Sequence, residues 1–507
     1  LGLFSEEKDM FLPGPDNFDG QFVISTVAKP CPHGWQQRQL GTLFLNLAPA
    51  TTVVPVVDAD NQSIGLLLGI PIDLDRGVIV DKQYSVDCRL DDIQDLDDFV
   101  EEKIYRLAGS FLFVLSALGS RRIYLDANGT LSVVYDPEAR VAGATASVLL
   151  DAVEYRKRFR GELYKTLDVE DAGWFTAGLT AHERIDRLLC NHYLDLDSWT
   201  ARRHWPVATI EVSPNPASTC ARICDRISKT IEILASSGST SVALTAGNDS
   251  RLLLACSRHM LANLTFVTVA APTADLDVAC AKRLARQFSL RHQVLPYREA
   301  TEGEADLWRF RAGHCVGGNN VKMHPSVRPL EGRPFVGGLG GEVGRGFLWL
   351  NAKPDTVIDA RGLVARLKLS RTAEVATAVD KWLAPLAHFD AFFILDLAYL
   401  ELRMSSWGFC DSYVKPKQLE IHPMISRANY VDMLSLPPDV RRKGDIYFQA
   451  IEALWKEVSE VPINKYGNYK DMLRPAKEAI RHPKRASRKV MQIVGAWRSG
   501  TAEKSGA

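Results

Sequence analysis

Several features that would assign a class at once are missing from this 507-residue chain. No Cys-x-x-Cys pair occurs, and the nine cysteines (31, 88, 190, 220, 224, 256, 280, 315 and 410) are odd in number and scattered. That pattern suits buried free thiols in a reducing compartment better than a disulfide framework or a zinc site. No run of 18 apolar residues is present, which argues against a membrane span. The opening LGLFSEEKDMFLPG has no basic region leading into an apolar core, so it does not read as a secretory leader. Neither sign of charge dominates, with Lys+Arg and Asp+Glu at 61 each, so no nucleic-acid partner is indicated. Internal repeats and low-complexity blocks are absent, and no GKS or GKT marks a Walker loop. A cytoplasmic protein with no membrane partner is the expectation.

What is present is ordinary globular composition, 46% apolar and 24% charged, at a length that calls for two or three domains. Residues 20 to 150 read as short β-prone runs, among them FVISTV, GTLFLNL, TTVVPVV, SFLFVLSAL and RRIYLDA. The one helix-like stretch there is DDIQDLDDFVEEKIYRLAG. The texture changes after Pro214. PASTCARICDRISKTIEILASSG puts Ile223, Ile227, Ile231 and Leu234 on one helical face, with Ser218 or Thr219 as candidate caps. Then come strand VALTA, helix DSRLLLACSRHML, strand LTFVTVA, helix DLDVACAKRLARQF, strand HQVLPY and a strand-like RPFVGGLGG. Such alternation implies a doubly wound parallel sheet. From about 375 to 460 the pattern is mainly helical, and the end, AIRHPKRASRKVMQIVGAWR, is a basic tail.

The stretch SVALTAGNDSR, 241–251, carries the chemistry. In an open parallel sheet, ligands sit at the carboxyl ends of the strands. A strand-to-helix turn there offers backbone N–H groups at the positive end of a helix dipole, an anion site. Gly247 permits close approach, and the hydroxyls of Thr245 and Ser250 can donate to phosphate oxygens. A carboxylate such as Asp249 can meet phosphates only through a cation, and Mg²⁺ prefers carboxylate together with substrate phosphate. Gly338, Gly340 and Gly344 form a second glycine run, but no βαβ unit with a well-placed acid follows it to make a dinucleotide site.

TAGNDS resembles the SGGxDS pyrophosphate-binding loop of the ATP-pyrophosphatase enzymes, in the version seen in the asparagine synthetase family. More segments agree, in the family's order: LAGSFLFVLSALGSRRIYLDANGTLSVVYD, IDRLLCNHYLDL…RRHW, TADLDVACAKRLARQFSLRHQVL and LRMSSWGFCDSYVKPKQLEIHPMISRANYVDMLSLPPDVRR. Together they span most of residues 105–470. The fold this implies is α/β: a degenerate Ntn-type α+β sandwich domain followed by a doubly wound parallel-sheet ATP-pyrophosphatase domain with a helical C-terminal part. The boundaries expected are 1–165 for the glutaminase-like domain, 166–205 for a connector, 206–475 for the synthetase-like domain and 476–507 for the basic tail.

The resemblance also implies residues. GGLGGEVGRGF, 337–347, stands where the family has SGxGSDExFGGY, with Glu342 its only acid. Asp249 and Glu342 would then hold Mg²⁺, and Leu244, Thr245, Ala246, Gly247, Asn248, Asp249, Ser250, Val269, Gly337 and Gly338 would contact ATP. A catalytic lysine in an RxKxGF-like pattern falls on Lys465 of VPINKYGNYK, with Lys443 and Lys470 as neighbouring alternatives. Departures set the subclass. The aligned first strands lack the opening cysteine whose thiolate would attack glutamine, so the amino-terminal domain is expected to be a scaffold without glutaminase activity. This resembles glutaminase-deficient members such as β-lactam synthetase and lasso-peptide cyclase. Leu402 replaces the family's Asp before Arg-Met-Ser, with Glu401 one residue off, and Ser426 replaces the PFLD acid, arguing against aspartate as substrate. The expected activity is adenylation of a small-molecule or peptide carboxylate, then amide formation with an amine, in a possible homodimer. A synthetase fed by ammonia and a nucleotide-binding scaffold are the rival readings.

Overall fold

Alternation of apolar side chains builds the amino-terminal half of the computed structural model, which describes residues 18–408, 413 and 419–467. Along the strand Ala108–Ala117, Leu112 and Val114 enter one core while Phe111, Phe113 and Leu115 enter another. That period of two is what a sheet buried on both faces requires. This strand is central to a mostly antiparallel sheet with neighbours Ser63–Asp73 and Ser120–Leu125. Facing it is a six-stranded antiparallel sheet whose centre is Phe22–Ser25, and Phe22, Ile24, Leu43 and Leu45 fill the shared core between them. The helical turns Leu96–Phe99 and Val100–Ile104, from the stretch expected as one helix, cover the outer face with Phe99, Val100 and Ile104.

The segment 166–205, expected as a connector, supplies strands to both sheets. Asp186–Arg187 pairs with Val134–Asp136 in the six-stranded sheet, and His192–Asp195 pairs with Ser120–Leu125 in the other.

The second half is organised around five parallel strands: β1 (Thr240–Ala243), β2 (Leu264–Ala270), β3 (His292–Pro296), β4 (Pro334–Val336) and β5 (Leu419–Ile421). Their order across the sheet is β3-β2-β1-β4-β5, and every neighbouring pair is parallel. Helices α1 (Pro216–Ser237), α2 (Asn248–Cys256) and α3 (Asp275–Gln287) follow the alternation read from the sequence. Val242 and Phe266 pack toward α1 and α2, whereas Val267 meets Val327 and Leu330 on the opposite face. A sheet covered on both sides accounts for the continuous apolar strands.

Ile223, Ile227, Ile231 and Leu234 of α1 are fully buried, each contributing about 1.5–3 kcal/mol of apolar transfer. The cap of α1 differs from expectation. Asn215, not Ser218 or Thr219, accepts from the Ser218 N–H at 3.1 Å. Pro216 takes the first helical position, where its missing N–H costs nothing. Helix α2 is also shorter than expected, passing after Cys256 into a tighter turn at Arg258–Asn263. The carboxyl-terminal part is helical, with α4 (Arg427–Ser435) capped by Ser426 and α5 (Ile446–Ser459) packed on α2.

The halves meet through buried charge. Glu401 is fully buried and accepts from Arg203 at 2.6 Å through each oxygen, from Asn191 at 2.9 Å and from Trp382 at 2.6 Å. An acid with all its lone pairs used is a structural tie rather than a free ligand. Among the described residues, six cysteines are buried and none forms a disulfide, while Cys31 is exposed. No described helix is long and apolar enough to cross a membrane. The basic tail 476–507 and the opening residues 1–17 lie outside the described residues.

Candidate functional site

Strand order locates a switch point before any side chain is considered. The chain runs outward from β1 to β2 to β3, then returns to the other side of β1 with β4 and β5. The reversal brings together the turns that follow β1 and β4, the place where ligands of open parallel sheets bind. Those two turns are 244–250 and 337–345.

The first turn is held open by its own side chains. Ser250 Oγ accepts from the Thr245 N–H at 3.0 Å and lies 2.9 Å from Thr245 Oγ1. The Ala246 N–H donates to Asp277 of α3 at 2.8 Å. Gly247 caps α2 without a side-chain bond, so the first N–H groups of that helix take no side-chain cap at the positive end of its dipole. Asn248 and Asp249 open the helix, and Asn248 Oδ1 is buried without a hydrogen-bond partner among the described residues.

The second turn folds onto the first. A Cβ added at Gly338 would lie 3.3 Å from the Cβ of Asp249, and one at Gly341 would collide with Asp249 Oδ1. Glycine at both positions is what lets the turns touch. Arg345 closes the contact, with Nη2 at 3.0 Å from Asp249 Oδ2 and 3.6 Å from Glu342 Oε1. Asp249 and Glu342, 93 residues apart by number, thus share one guanidinium nitrogen. Burial pushes the Asp249 carboxyl up to about 6, while Arg345 pulls it down and the Glu342 charge pushes it further up.

These residues suit a divalent cation. One positive nitrogen already sits between two carboxylates, and Glu342 Oε2 is buried with no hydrogen-bond partner among the described residues. Among the described residues no three His, Cys, Asp or Glu side chains cluster as a metal cage. Two carboxylates with the remaining ligands from phosphate and water is the arrangement Mg²⁺ takes beside nucleotides.

Behind the second turn, Arg441 donates to the Val343 carbonyl at 2.6 Å and to Asp396 at 2.7 Å. Asp396 also accepts from Trp349 at 3.0 Å, and burial pushes its carboxyl up to about 6. Beside the turn, the His422 ring packs on Gly337 and lies 3.4 Å from the Leu339 N–H.

Lys465 belongs to an exposed stretch docked on the first turn. The Asn464 N–H donates to the Ala246 carbonyl at 2.9 Å, and Tyr466 packs with Ala246, Leu276 and Cys280. Lys465 itself is exposed. Lys470 lies outside the described residues. Of the other positions expected to contact ATP, Leu244 is buried, Val269 is half-buried at the end of β2, and Gly337 and Gly338 start the second turn. Three arginines not assigned from the sequence organise the site: Arg345, Arg441 and the fully buried Arg251. Arg345 stood three residues from Glu342 in the glycine run, the only signal that pointed to it.

No family model matches the chain, and no curated protein matches it. Among solved structures, it is similar to a glutamine phosphoribosylpyrophosphate amidotransferase from B. subtilis complexed with ADP and GMP. The identity is 9%, over 64% of this chain and 70% of that one, with a TM-score of 0.20. A structure described as the allosteric regulatory enzyme of purine biosynthesis matches at 9% identity over 71% and 74%, with a TM-score of 0.20. An NAD+ synthetase from Burkholderia pseudomallei matches at 13% identity over 49% and 93%, with a TM-score of 0.16. Superpositions this loose establish neither a shared fold nor a shared activity.

Proposed function

We propose that the protein is an ATP-dependent synthetase that adenylates a carboxylate, releases pyrophosphate and joins the acyl group to an amine without hydrolysing glutamine. The observation that carries this reading is the meeting of two turns at the strand reversal, each contributing one carboxylate, Asp249 and Glu342, to a single point. In this reading the amino-terminal half is a degenerate Ntn-type scaffold and the second half is of the ATP-pyrophosphatase type.

Asp249 and Glu342 would hold Mg²⁺, which when bound neutralises triphosphate charge and polarises the phosphoryl group. The N–H groups at 248–250, with the Thr245 and Ser250 hydroxyls, would cradle the phosphates at the start of α2, while the Ala246 and Gly247 N–H groups brace the turn on Asp277 and Thr245. A substrate carboxylate oxygen bonds to the α-phosphorus of ATP as the bond to pyrophosphate breaks. An amine then bonds to the acyl carbon, loses its proton, and the C–O bond to AMP breaks. Lys465, on the stretch tied to Ala246, would offset charge on the phosphoryl group and then on the oxyanion. Glu401 is committed to Arg203, Asn191 and Trp382, which leaves it no role in binding an amino-acid amine.

The test is pyrophosphate release from ATP and Mg²⁺ with a panel of carboxylic acids and amines. Release that Asp249→Asn abolishes supports the synthetase. ATP binding without turnover across the panel favours a nucleotide-binding scaffold, and turnover only with ammonium favours the ammonia-fed enzyme.

A further inference from the structure

We propose that Arg345 is a displaceable guanidinium: it fills the cation position between Asp249 and Glu342 in the free protein and pairs with pyrophosphate oxygens once metal and nucleotide enter. The inference rests on the site assigned above and concerns how that site is emptied and filled.

Occupancy comes first. The same atom, Arg345 Nη2, lies 3.0 Å from Asp249 and 3.6 Å from Glu342. A divalent ion bound by both carboxylates would take that volume, and two cations cannot share it. Metal entry therefore requires the guanidinium to leave.

Freedom to leave comes next. Arg345 ends a short turn, Gly341–Arg345, and lies between Gly344 and Gly346, the latter at φ +57°. Its side chain is 22% exposed, so Arg345 is not fully enclosed. The stabilising contact on its other side is the face of Tyr447, 5.8 Å from ring centroid to guanidinium carbon. This is not a finished buried pair. Glu342 Oε2 and Tyr447 Oη, on the two residues it contacts besides Asp249, are both buried without hydrogen-bond partners among the described residues. Groups left unsatisfied around a charged cluster mark a place that another ligand completes.

The destination follows from chemistry. A guanidinium released from two carboxylates keeps its charge and a planar set of donors that matches two phosphate oxygens. The nearest anion in this reading lies against the N–H groups at 248–250, on the turn that carries Asp249. Those groups face the leaving pyrophosphate rather than the adenosine. Arg345 then neutralises the leaving group as the α-phosphorus bond breaks, while occupying the metal position keeps the free protein's two acids from repelling each other.

The experiment measures two affinities on the full chain: Mn²⁺ alone, by electron paramagnetic resonance, and inorganic pyrophosphate with Mg²⁺, by calorimetry. Arg345→Met should bind Mn²⁺ more tightly than wild type, because its competitor is gone. The same variant should bind magnesium pyrophosphate at least about tenfold more weakly, the loss expected for a charged hydrogen-bonded pair. Arg345→Lys keeps the charge without the two-pronged geometry. It should weaken pyrophosphate severalfold and serves as the deciding variant if the methionine protein does not fold. Unchanged pyrophosphate affinity in the variant that folds, or weaker Mn²⁺ binding, overturns the role of Arg345. Wild-type protein that binds neither Mn²⁺ nor magnesium pyrophosphate overturns the site itself, and the two failures are thereby told apart.

Discussion

Arg251 Nη2 donates to the carbonyl of Pro462 at 2.7 Å, fastening the stretch that carries Lys465 to the helix that carries Asp249. The same guanidinium reaches the carbonyls of Val458 at 3.4 Å and of Val461. A fully buried arginine thus satisfies the carbonyls at the end of α5 and sets the distance between two parts of the site. Arg251→Met should lower stability by about 2 kcal/mol, from carbonyls left without a charged donor. Hydrogen exchange at 461–467 should accelerate more than elsewhere. Uniform acceleration over the whole chain would contradict the fastening role.

Gly341 sits where a side chain would strike Asp249. Gly341→Ala should push the two turns apart by a fraction of an ångström and reduce pyrophosphate release on the order of a hundredfold. The far core should be untouched, so the melting temperature should shift little. Wild-type turnover in this variant would mean that the turns do not act together.

The Arg441–Asp396 pair is buried and holds Val343 from behind. Removing one member strands a charge, so Arg441→Met should cost about 3–5 kcal/mol. Arg441→Met combined with Asp396→Leu should recover part of that stability. It should not recover nucleotide affinity, because the Val343 carbonyl still lacks its donor. Urea unfolding and ATP calorimetry on the three proteins check both statements.

Activity should carry an acid limb near pH 6, since Asp249 must be ionised to take a metal and its carboxyl is pushed up to about 6 in the free protein. Metal and proton compete for this carboxylate, so raising Mg²⁺ should move the limb to lower pH. A limb that ignores Mg²⁺ would assign it to another group.

Stability should respond to pH through two opposing sets of groups. Asp249 and Asp396 have raised folded values of about 6. Their contribution is full below the ordinary carboxyl value of 3.8 and is lost as pH rises through about 6. His182 runs the other way. Neither of its ring nitrogens has a hydrogen-bond partner among the described residues, and burial first, then the charges of His314, Arg158 and Arg160, hold it well below 6.5. Its contribution is full above 6.5 and is lost as pH falls below that value. His182→Phe keeps the ring packed on Tyr155 and removes the proton acceptor. Melting curves from pH 7 to 5 should fall less steeply for this variant than for wild type.

Much of this architecture could be read without coordinates. Strand runs of period two, helices of period 3.6 and glycine or proline between them are local properties. They announced the parallel half, the buried face of α1 and the turn at 244–250. Boundaries were less legible. The α1 cap passed to Asn215 because Pro216 fits the first helical position, and both facts act within one turn of chain. The stretch 166–205 looked like a connector because its strands are two to four residues long and depend on distant partners for their pairing.

The sequence by itself determined where carboxylates, glycines and hydroxyls stand in each turn, since such turns are specified by neighbours along the chain. Tertiary structure alone decided which turns meet. Arg345 to Asp249, Arg251 to Pro462 and Arg441 to Val343 each join residues about a hundred or more positions apart. Long side chains carry no periodicity that names a partner, and a buried charge finds its mate only after the strand order has closed the space between them.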